Sequence, residues 1–207
     1  MNTARFKVGL AACVALVLVW SAIAPHDRFT WFLEVLPGLL GLAALALTWQ
    51  RFPLTDLVCS VIAIHVIILA VGGHYTYANV PLFDWVRDSF GQARNNYDKV
   101  GHFWQGFGPA LVAREVLLRT SPLRQGKWLT FLLLCFALAV SAVYELVEWW
   151  VAISTGEAAD AFLGTQGDPW DTQKDMFTCG IGALIALLGF SAWHDRQLYR
   201  AKLLTEP

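Results

Sequence analysis

Long apolar runs constrain the fold of this chain more than any other feature of its sequence. Several of them exceed about 18 residues, the length that an α-helix needs to cross a hydrocarbon core about 30 Å thick. Only 15% of the 207 residues are charged, compared with about 25% in soluble domains. Because backbone polar groups in lipid must be satisfied within the chain, the runs are predicted to be helices. The sequence therefore predicts an all-α, polytopic membrane helical bundle.

We predict about six transmembrane helices in a single domain of residues 1–207. They cover residues 7–25, 31–49, 54–78, 98–118, 128–152 and 173–193, approximately. The first run ends in Ala22-Ile23-Ala24, which resembles a signal-peptidase site. It is longer than the apolar core of a signal peptide, and Pro25 would follow the cut. We therefore expect the first helix to be retained, and cleavage would leave the later topology unchanged.

The distribution of charge predicts the orientation of the bundle. Ten of the 15 Lys and Arg residues lie on the side that also carries both termini, so this side is predicted to be cytoplasmic. Twelve of the 16 Asp and Glu residues fall on or near the opposite, outer face. The net charge of −1 gives no reason to expect a nucleic-acid partner. We therefore expect the chemistry of this protein to lie outside the cytoplasm.

Polar side chains at helical spacing mark the outer ends of four predicted helices. They are His74 and Tyr75 in the third, Asp98 and His102 in the fourth, Tyr144, Glu145 and Glu148 in the fifth, and Asp168, Asp171 and Asp175 at the start of the sixth. Residues at i and i+3 or i+4 share one face of a helix. A carboxylate at this depth is costly unless it is paired, protonated or bound to a metal. The pattern therefore predicts that these groups converge on a divalent cation.

Each predicted residue has an assigned role. The predicted metal ligands are Asp98, His102, Glu145, Asp168, Asp171 and Asp175. The predicted catalytic residues are Glu148 and His74, as base or acid, and Tyr75 and Tyr144, which would orient an oxyanion or headgroup. A carboxylate-rich set suits several ions, so the metal is left open among Mg, Mn, Ca, Fe and Zn.

Simpler explanations exist for some of these residues. Asp168 lies where an acid would cap a helix start, and the positive end of a helix dipole would account for Asp98 and for one of Asp171 and Asp175. His74 would also suit the membrane interface. Glu145 and Glu148 resist this explanation, because they are expected in the last turns of a helix, where the dipole disfavours acids.

Four segments together resemble one known family. They are "GGHYTYANVP" (72–81), "YDKVGHF" (97–103), "SAVYELVEW" (141–149) and "FLGTQGDPWDTQKDM" (162–176). They are similar to the YjdF-like family of bacterial inner-membrane proteins. The resemblance implies a multi-pass protein of the bacterial plasma membrane and supplies no reaction. The element "DKVGHF" (98–103) alone also resembles VanZ-like membrane proteins.

Three functions are compatible with the sequence. The first is a metal-dependent hydrolase or transferase that acts on a lipid or lipid-linked substrate at the outer leaflet. The second is a small ion- or proton-coupled transporter, which would use intramembrane acids and histidine. The third is a non-catalytic scaffold in which a divalent cation holds the helices together. Membrane lipids are the expected surroundings in all three, and the oligomeric state is left open.

Overall fold

The computed structural model describes residues 3–155 and 165–204. These residues form seven α-helices and no strands. The helices are α1 (Thr3–Ala22), α2 (Arg28–Thr48), α3 (Asp56–Tyr75), α4 (Pro81–Phe90), α5 (Tyr97–Thr120), α6 (Lys127–Thr155) and α7 (Asp171–Arg200). The prediction of an all-α bundle is confirmed.

Six of the seven helices coincide with the six predicted spans to within a few residues. The additional helix, α4, lies inside the segment 79–97, which was predicted to be a loop. Pro81 occupies its first turn, and Gly91 ends it in the left-handed conformation with φ of 62°. These are common start and stop residues of a helix. With 10 residues and mixed polarity, α4 is too short to cross a membrane.

Five helices of the described residues are long and apolar enough to cross a membrane: α1, α2, α3, α6 and α7. The predicted fourth span corresponds to α5, which has 24 residues but falls short in hydropathy. Its charged side chains include Asp98, Arg114 and Glu115, and all three are buried. Helix α5 therefore has the length of a span, while its polar groups depend on neighbouring helices rather than on lipid.

Successive long helices alternate in direction, so their ends gather at two opposite ends of the bundle. At one end, called the site end here, the His26 amide donates to the His74 carbonyl at 2.9 Å and joins α2 to α3. At the other end, the Lys7 ammonium donates to the Leu54 carbonyl at 2.7 Å. Both ends of the described chain lie at this second end. Its cytoplasmic location stays a prediction from the charge distribution.

The start of α2 shows how a single side chain sets a helix end. Asp27 has extended backbone angles and accepts a hydrogen bond from the Thr30 amide at 2.7 Å. This is the usual geometry of an N-cap. The hydrogen bonds from Thr30 lower the pKa of the Asp27 carboxyl. The cap positions the first turns of α2 next to the end of α3.

Helices α5 and α7 run parallel and form the most extensive helix pair of the bundle. A Cβ atom added to Gly106 would lie 1.9 Å from the Cys179 carbonyl oxygen. One added to Gly182 would lie 2.0 Å from the Phe103 carbonyl oxygen. Small residues permit such close backbone approach in membranes, where packing rather than hydrophobicity drives association. These two glycines therefore determine how closely α5 and α7 approach.

A buried hydrogen-bond network joins α3, α5 and α7 at the end opposite the site. The fully buried Glu115 carboxylate accepts from the Thr55 hydroxyl at 2.8 Å and from Arg119 at 2.7 Å. His194 Nε2 lies 3.0 Å from Glu115, and His194 Nδ1 lies 3.1 Å from the Arg114 guanidinium. Because arginine only donates, Nδ1 accepts and Nε2 carries the proton. The network satisfies charges that would be costly in lipid.

Replacing Gly182 by alanine should destabilise the bundle by about 1–3 kcal/mol, because the new methyl group forces α7 away from α5. The measurement is the thermal unfolding midpoint of the purified protein in a mild detergent. Gly189 is the matched control on the same helix, since a Cβ atom there would meet nothing within 4 Å. Gly189→Ala should be neutral or slightly stabilising because alanine is the better helix former. Equal midpoints for the two variants would contradict the role of the α5–α7 contact.

Replacing Glu115 by glutamine should cost about 3–5 kcal/mol of stability, because it leaves the Arg119 guanidinium without its charged acceptor in a largely buried network. Asp88→Asn serves as the control, since the Asp88 side chain is 69% exposed and its loss should change stability by about 0.5 kcal/mol or less. Reversible unfolding in increasing SDS measures both. The network would have no stabilising role if Glu115→Gln unfolded at the same SDS fraction as Asp88→Asn.

Candidate functional site

Buried polar side chains converge at the site end of the bundle. Asp98 and His102 come from the first two turns of α5, and Asp171 and Asp175 come from the first two turns of α7. Glu145 and Glu148 come from α6. Each of these six residues is at most 9% exposed. The structure thus brings together six of the predicted site residues, which sequence spacing alone could only align on separate helices.

The position of Glu145 and Glu148 within α6 differs from the prediction. Helix α6 continues to Thr155, so both residues lie at least about two turns before its end. The helix dipole acts mainly within the last turn. The predicted conflict between these acids and the helix dipole is therefore absent, and burial is what makes their location costly.

Two cations balance one half of the cluster. The Lys99 ammonium lies 2.6 Å from Asp171 Oδ1, 2.8 Å from Asp175 Oδ1 and 3.3 Å from Asp98 Oδ2. The Arg94 guanidinium binds Asp98 and also donates to Asp171 at 2.5 Å. We call these five residues the Lys99 group. Its three carboxylates already have charged partners from the protein itself.

Arg94 is held in place by the segment that precedes α7. It donates to the Thr165 carbonyl at 3.0 Å. Gln166 pairs with Asn95 through two hydrogen bonds, at 3.1 Å and 2.8 Å. These bonds join the start of α5 to the residues just before α7. The remaining predicted site segment, residues 162–164, lies outside the described residues.

Asp168 lies at the edge of the cluster. It forms an ion pair with Lys174 at 2.5 Å and lies 4.0 Å from the Arg94 guanidinium. The hydrogen bond from Lys174, together with one from the Trp170 amide, lowers the pKa of the Asp168 carboxyl. Asp168 belongs to neither set of side chains in the described residues that could hold a metal. Its contacts with Lys174 and the Trp170 amide stabilise the turn that precedes α7.

The other half of the cluster is built around His102. His102 Nε2 lies 3.6 Å from Asp175 Oδ1, and His102 Nδ1 lies 3.8 Å from Glu145 Oε1. Nδ1 also lies 3.1 Å from the Gln105 amide oxygen. Because that oxygen only accepts, Nδ1 carries the proton and Nε2 presents its lone pair toward Asp175. We call His102, Glu145 and Asp175 the His102 group.

Two sets of side chains in the described residues have ligand atoms within 4.8 Å of one another. One is the His102 group, and the other is Asp98, Asp171 and Asp175. The second set is the one that binds Lys99 and Arg94. In the first set, Glu145 Oε1 is buried without a hydrogen-bond partner in the described residues. Asp98 and Asp171, two of the predicted ligands, are therefore paired with the side chains of Lys99 and Arg94. Asp175 belongs to both sets.

A third group lies next to the His102 group. The Tyr144 hydroxyl donates to Glu34 Oε2 at 3.3 Å, and the Tyr144 ring centroid lies 6.4 Å from that of His102. Tyr77, which follows α3, interacts electrostatically with Glu34. We call Glu34, Tyr77 and Tyr144 the Glu34 group. Glu34 was not among the predicted site residues. It stands alone among the apolar residues of a predicted span, where a carboxylate has a high cost.

His74 and Tyr75 lie apart from these three groups. His74 Nδ1 lies 3.0 Å from the Ser21 carbonyl of α1. Its ring contacts those of Trp20 and Tyr75, with centroids 4.5 Å and 4.6 Å away. These contacts pack α1 against the end of α3. The structure therefore does not bring the two residues to the carboxylates that the predicted catalytic role would require.

A large cavity opens from the cluster into the bundle. Its volume is about 880 Å³, and its walls come mainly from α2, α3, α5 and α6. Its polar end is lined by Glu34, Tyr77, Asp98, His102, Tyr144, Glu148, Asp171 and Asp175. Beyond them the lining is largely apolar and extends to Leu54 and Thr120 near the opposite end, with His65 between. The cavity has the shape of a long apolar chamber with acids at one end.

Comparison with known proteins identifies the family. The family model described as "Predicted membrane protein (DUF2238)" matches residues 6–196. "Inner membrane protein YjdF" of Escherichia coli (strain K12) is 50% identical over 195 residues, which cover 94% of this chain and 93% of that protein. No solved structure matches the chain.

These matches confirm the predicted resemblance to YjdF-like proteins. The local resemblance of residues 98–103 to VanZ-like proteins stays a prediction. With its apolar helices, the chain is a multi-pass protein of the bacterial inner membrane. It belongs to the DUF2238 family of predicted membrane proteins.

Proposed function

We propose that this protein is a metal-dependent hydrolase or transferase that acts on a lipid or lipid-linked substrate. One observation carries the proposal. The His102 group has ligand atoms within 4.8 Å of one another, and two of its members, His102 and Asp175, line the polar end of an apolar cavity of about 880 Å³. A polar site at the head of an apolar chamber suits a molecule with a reactive headgroup and a hydrocarbon chain.

The geometry of the His102 group supports a metal ion. Two ligand atoms on a metal with bonds of about 2.1 Å lie about 3–4 Å apart. The separation of 3.6 Å between His102 Nε2 and Asp175 Oδ1 falls within this range. Gln105 fixes the histidine tautomer, as outer hydrogen-bond partners commonly do at metal sites. A metal would also give the Glu145 oxygen the partner that it lacks among the described residues.

The ligand set narrows the choice of metal. One imidazole and two carboxylates suit Zn²⁺, Fe²⁺ or Mn²⁺ better than Mg²⁺ or Ca²⁺, which prefer oxygen ligands throughout. Three protein ligands leave a position for water or substrate, as catalytic sites require. We therefore restrict the proposed ligands to His102, Glu145 and Asp175, and leave Asp98 and Asp171 to their contacts with Lys99 and Arg94. Asp175 would serve both the metal and Lys99, which lies 2.8 Å from its Oδ1.

A reaction follows from the residues around the proposed metal. A metal held by His102, Glu145 and Asp175 would supply Lewis acidity, and Glu148 would accept a proton from the attacking water. Glu148 lies one turn after Glu145 on α6 and is among the residues that line the cavity. The water oxygen would bond to the phosphorus or carbonyl carbon of the substrate as the bond to the leaving oxygen breaks, and the proton on Glu148 would pass to that oxygen. Tyr144, which also lines the cavity, would orient the headgroup.

The lining of the cavity favours a lipid over an ion as the molecule that is handled. A transport path for ions needs polar groups near the middle of the membrane. Midway along this cavity, His65 stands among apolar neighbours such as Val66, Leu69 and Val112. A hydrocarbon chain would fill such a space favourably. The transporter hypothesis therefore has less support than the enzyme hypothesis.

Metal analysis of the purified protein tests the proposal. Protein prepared without chelators should contain about one Zn, Fe or Mn ion per chain by mass spectrometry of the elements. Glu145→Gln should reduce bound metal at least tenfold, because it removes one of three ligands. Asp168→Asn is the matched control, since this partly buried carboxylate lies at the edge of the cluster and outside the His102 group, and the variant should keep its metal.

Two outcomes decide between the hypotheses. The metal proposal would be overturned if the wild-type protein contained no metal and its unfolding midpoint were the same with EDTA and with each added ion. If a bound metal raised the unfolding midpoint but the protein turned over none of the phospholipids or lipid-linked phosphates offered, the structural cation hypothesis would be favoured. The enzyme hypothesis would be contradicted.

A further inference from the structure

The charged side chains that line the cavity are all of one sign. The charged residues of its lining are all carboxylates, namely Glu34, Asp98, Glu148, Asp171 and Asp175. The two cations of the cluster, Arg94 and Lys99, hydrogen bond to aspartates and are not part of this lining. A molecule that enters the cavity therefore meets negative charge at its polar end.

Among the described residues, no cation contacts the Glu34 group. The Glu34 carboxylate accepts a hydrogen bond from Tyr144 at 3.3 Å and interacts electrostatically with Glu148 and Asp98. A buried carboxylate surrounded by other acids has a high cost unless it is protonated or a positive charge comes close. A positively charged ligand would therefore stabilise the ionised form of Glu34.

Tyr77 provides an independent indication of a ligand. It is 8% exposed, its side chain lines the cavity, and its hydroxyl interacts only weakly with Glu34 and makes no hydrogen bond of normal geometry in the described residues. The Tyr77 ring packs closely against two glycines. A Cβ atom added to Gly72 would lie 2.2 Å from the ring, and one added to Gly101 would lie 2.8 Å from it. The ring therefore has little freedom to move. A buried hydroxyl without a hydrogen bond of normal geometry has a high cost, and a ligand donor would satisfy it.

We propose that the Glu34 group binds the ammonium of a lipid with a primary-amine headgroup. A primary ammonium carries three N–H donors. One would donate to the Glu34 carboxylate and one to the Tyr77 hydroxyl, with the aromatic faces of Tyr77 and Tyr144 beside the positive charge. The hydrocarbon chains would extend along the apolar part of the cavity.

The cavity decides between a lipid and a soluble amine. Its apolar lining extends from the Glu34 group to Leu54 and Thr120 near the other end of the bundle. A small soluble amine would leave most of this apolar surface without contact, whereas a lipid would cover it. Burial of apolar surface is the main favourable contribution to binding in such a chamber.

The proposal also names a substrate class for the proposed enzyme, and it rests on the proposed function only in that respect. With the ammonium at Glu34, the phosphodiester of such a lipid would lie beside His102, whose ring is 6.4 Å from that of Tyr144. Binding of the ammonium itself requires no metal.

The test compares phospholipids that differ only in their headgroups. Purified protein in a neutral detergent with EDTA receives phosphatidylethanolamine, phosphatidylcholine or phosphatidylglycerol, and native mass spectrometry measures the dissociation constants. Phosphatidylethanolamine should bind at least tenfold more tightly than the other two. Glu34→Gln should weaken its binding about tenfold or more, because a charge-assisted hydrogen bond is lost. Asp88→Asn, an exposed acid of α4, should change nothing.

A second variant keeps the test decisive if Glu34→Gln fails to fold. Tyr77→Phe removes one hydroxyl that makes no hydrogen bond of normal geometry in the described residues, so the fold should persist and the preference for phosphatidylethanolamine should fall. Equal binding of phosphatidylglycerol, or an unchanged preference in both variants, would overturn the proposal. Equally tight binding of water-soluble phosphoethanolamine would overturn the lipid as occupant.

The two proposals fail separately. His102→Ala should lose metal and keep the headgroup preference, while Glu34→Gln should keep metal and lose the preference. A protein that binds metal but shows no headgroup preference would overturn only the ammonium site, and the opposite result would overturn only the metal site.

Discussion

The close parallel packing of α5 on α7 is the constraint on which the rest of the structure depends. Gly106 and Gly182 let the two backbones approach until only a hydrogen fits where a methyl group would be. Because the helices are parallel, their first turns lie at the same end of the bundle. Asp98, Asp171 and Asp175 thereby come within reach of one ammonium, that of Lys99. At the other end, the same alignment puts His194 beside Arg114.

The distribution of cations divides the acids of the site into two kinds. Arg94 and Lys99 satisfy the aspartates of α5 and α7, and these contacts hold the two helices together. Glu34, Glu145 and Glu148 lack such partners among the described residues and lie toward the cavity or the His102 group. The first kind therefore stabilises the fold, and the second kind is available to a ligand. Asp175 belongs to both kinds, because it binds Lys99 and is also one of the proposed metal ligands.

The sequence predicted the long helices well, because each apolar run and its flanking charges mark a span within a few residues. It also predicted which faces of α5, α6 and α7 carry acids, since helical spacing determines this locally. It did not predict the partners of Asp98 and Asp171, which are set by the glycine contact between distant helices. It missed α4, which has no apolar run, and Glu34, whose neighbours come from other helices. The location of His74 against α1 depends equally on packing that no local pattern encodes.

The charges of α5 have a consequence for how the protein enters the membrane. Alone in lipid, α5 would expose Asp98, Lys99, Arg114 and Glu115, and each charge near the centre of a span opposes insertion. Lys99 and Arg114 find partners on α7, which leaves the ribosome after α5. Helix α5 is therefore incomplete as a membrane segment until α7 has been made. The two helices behave as one unit of insertion, and the order of synthesis, rather than hydropathy alone, determines when α5 becomes stable in the bilayer.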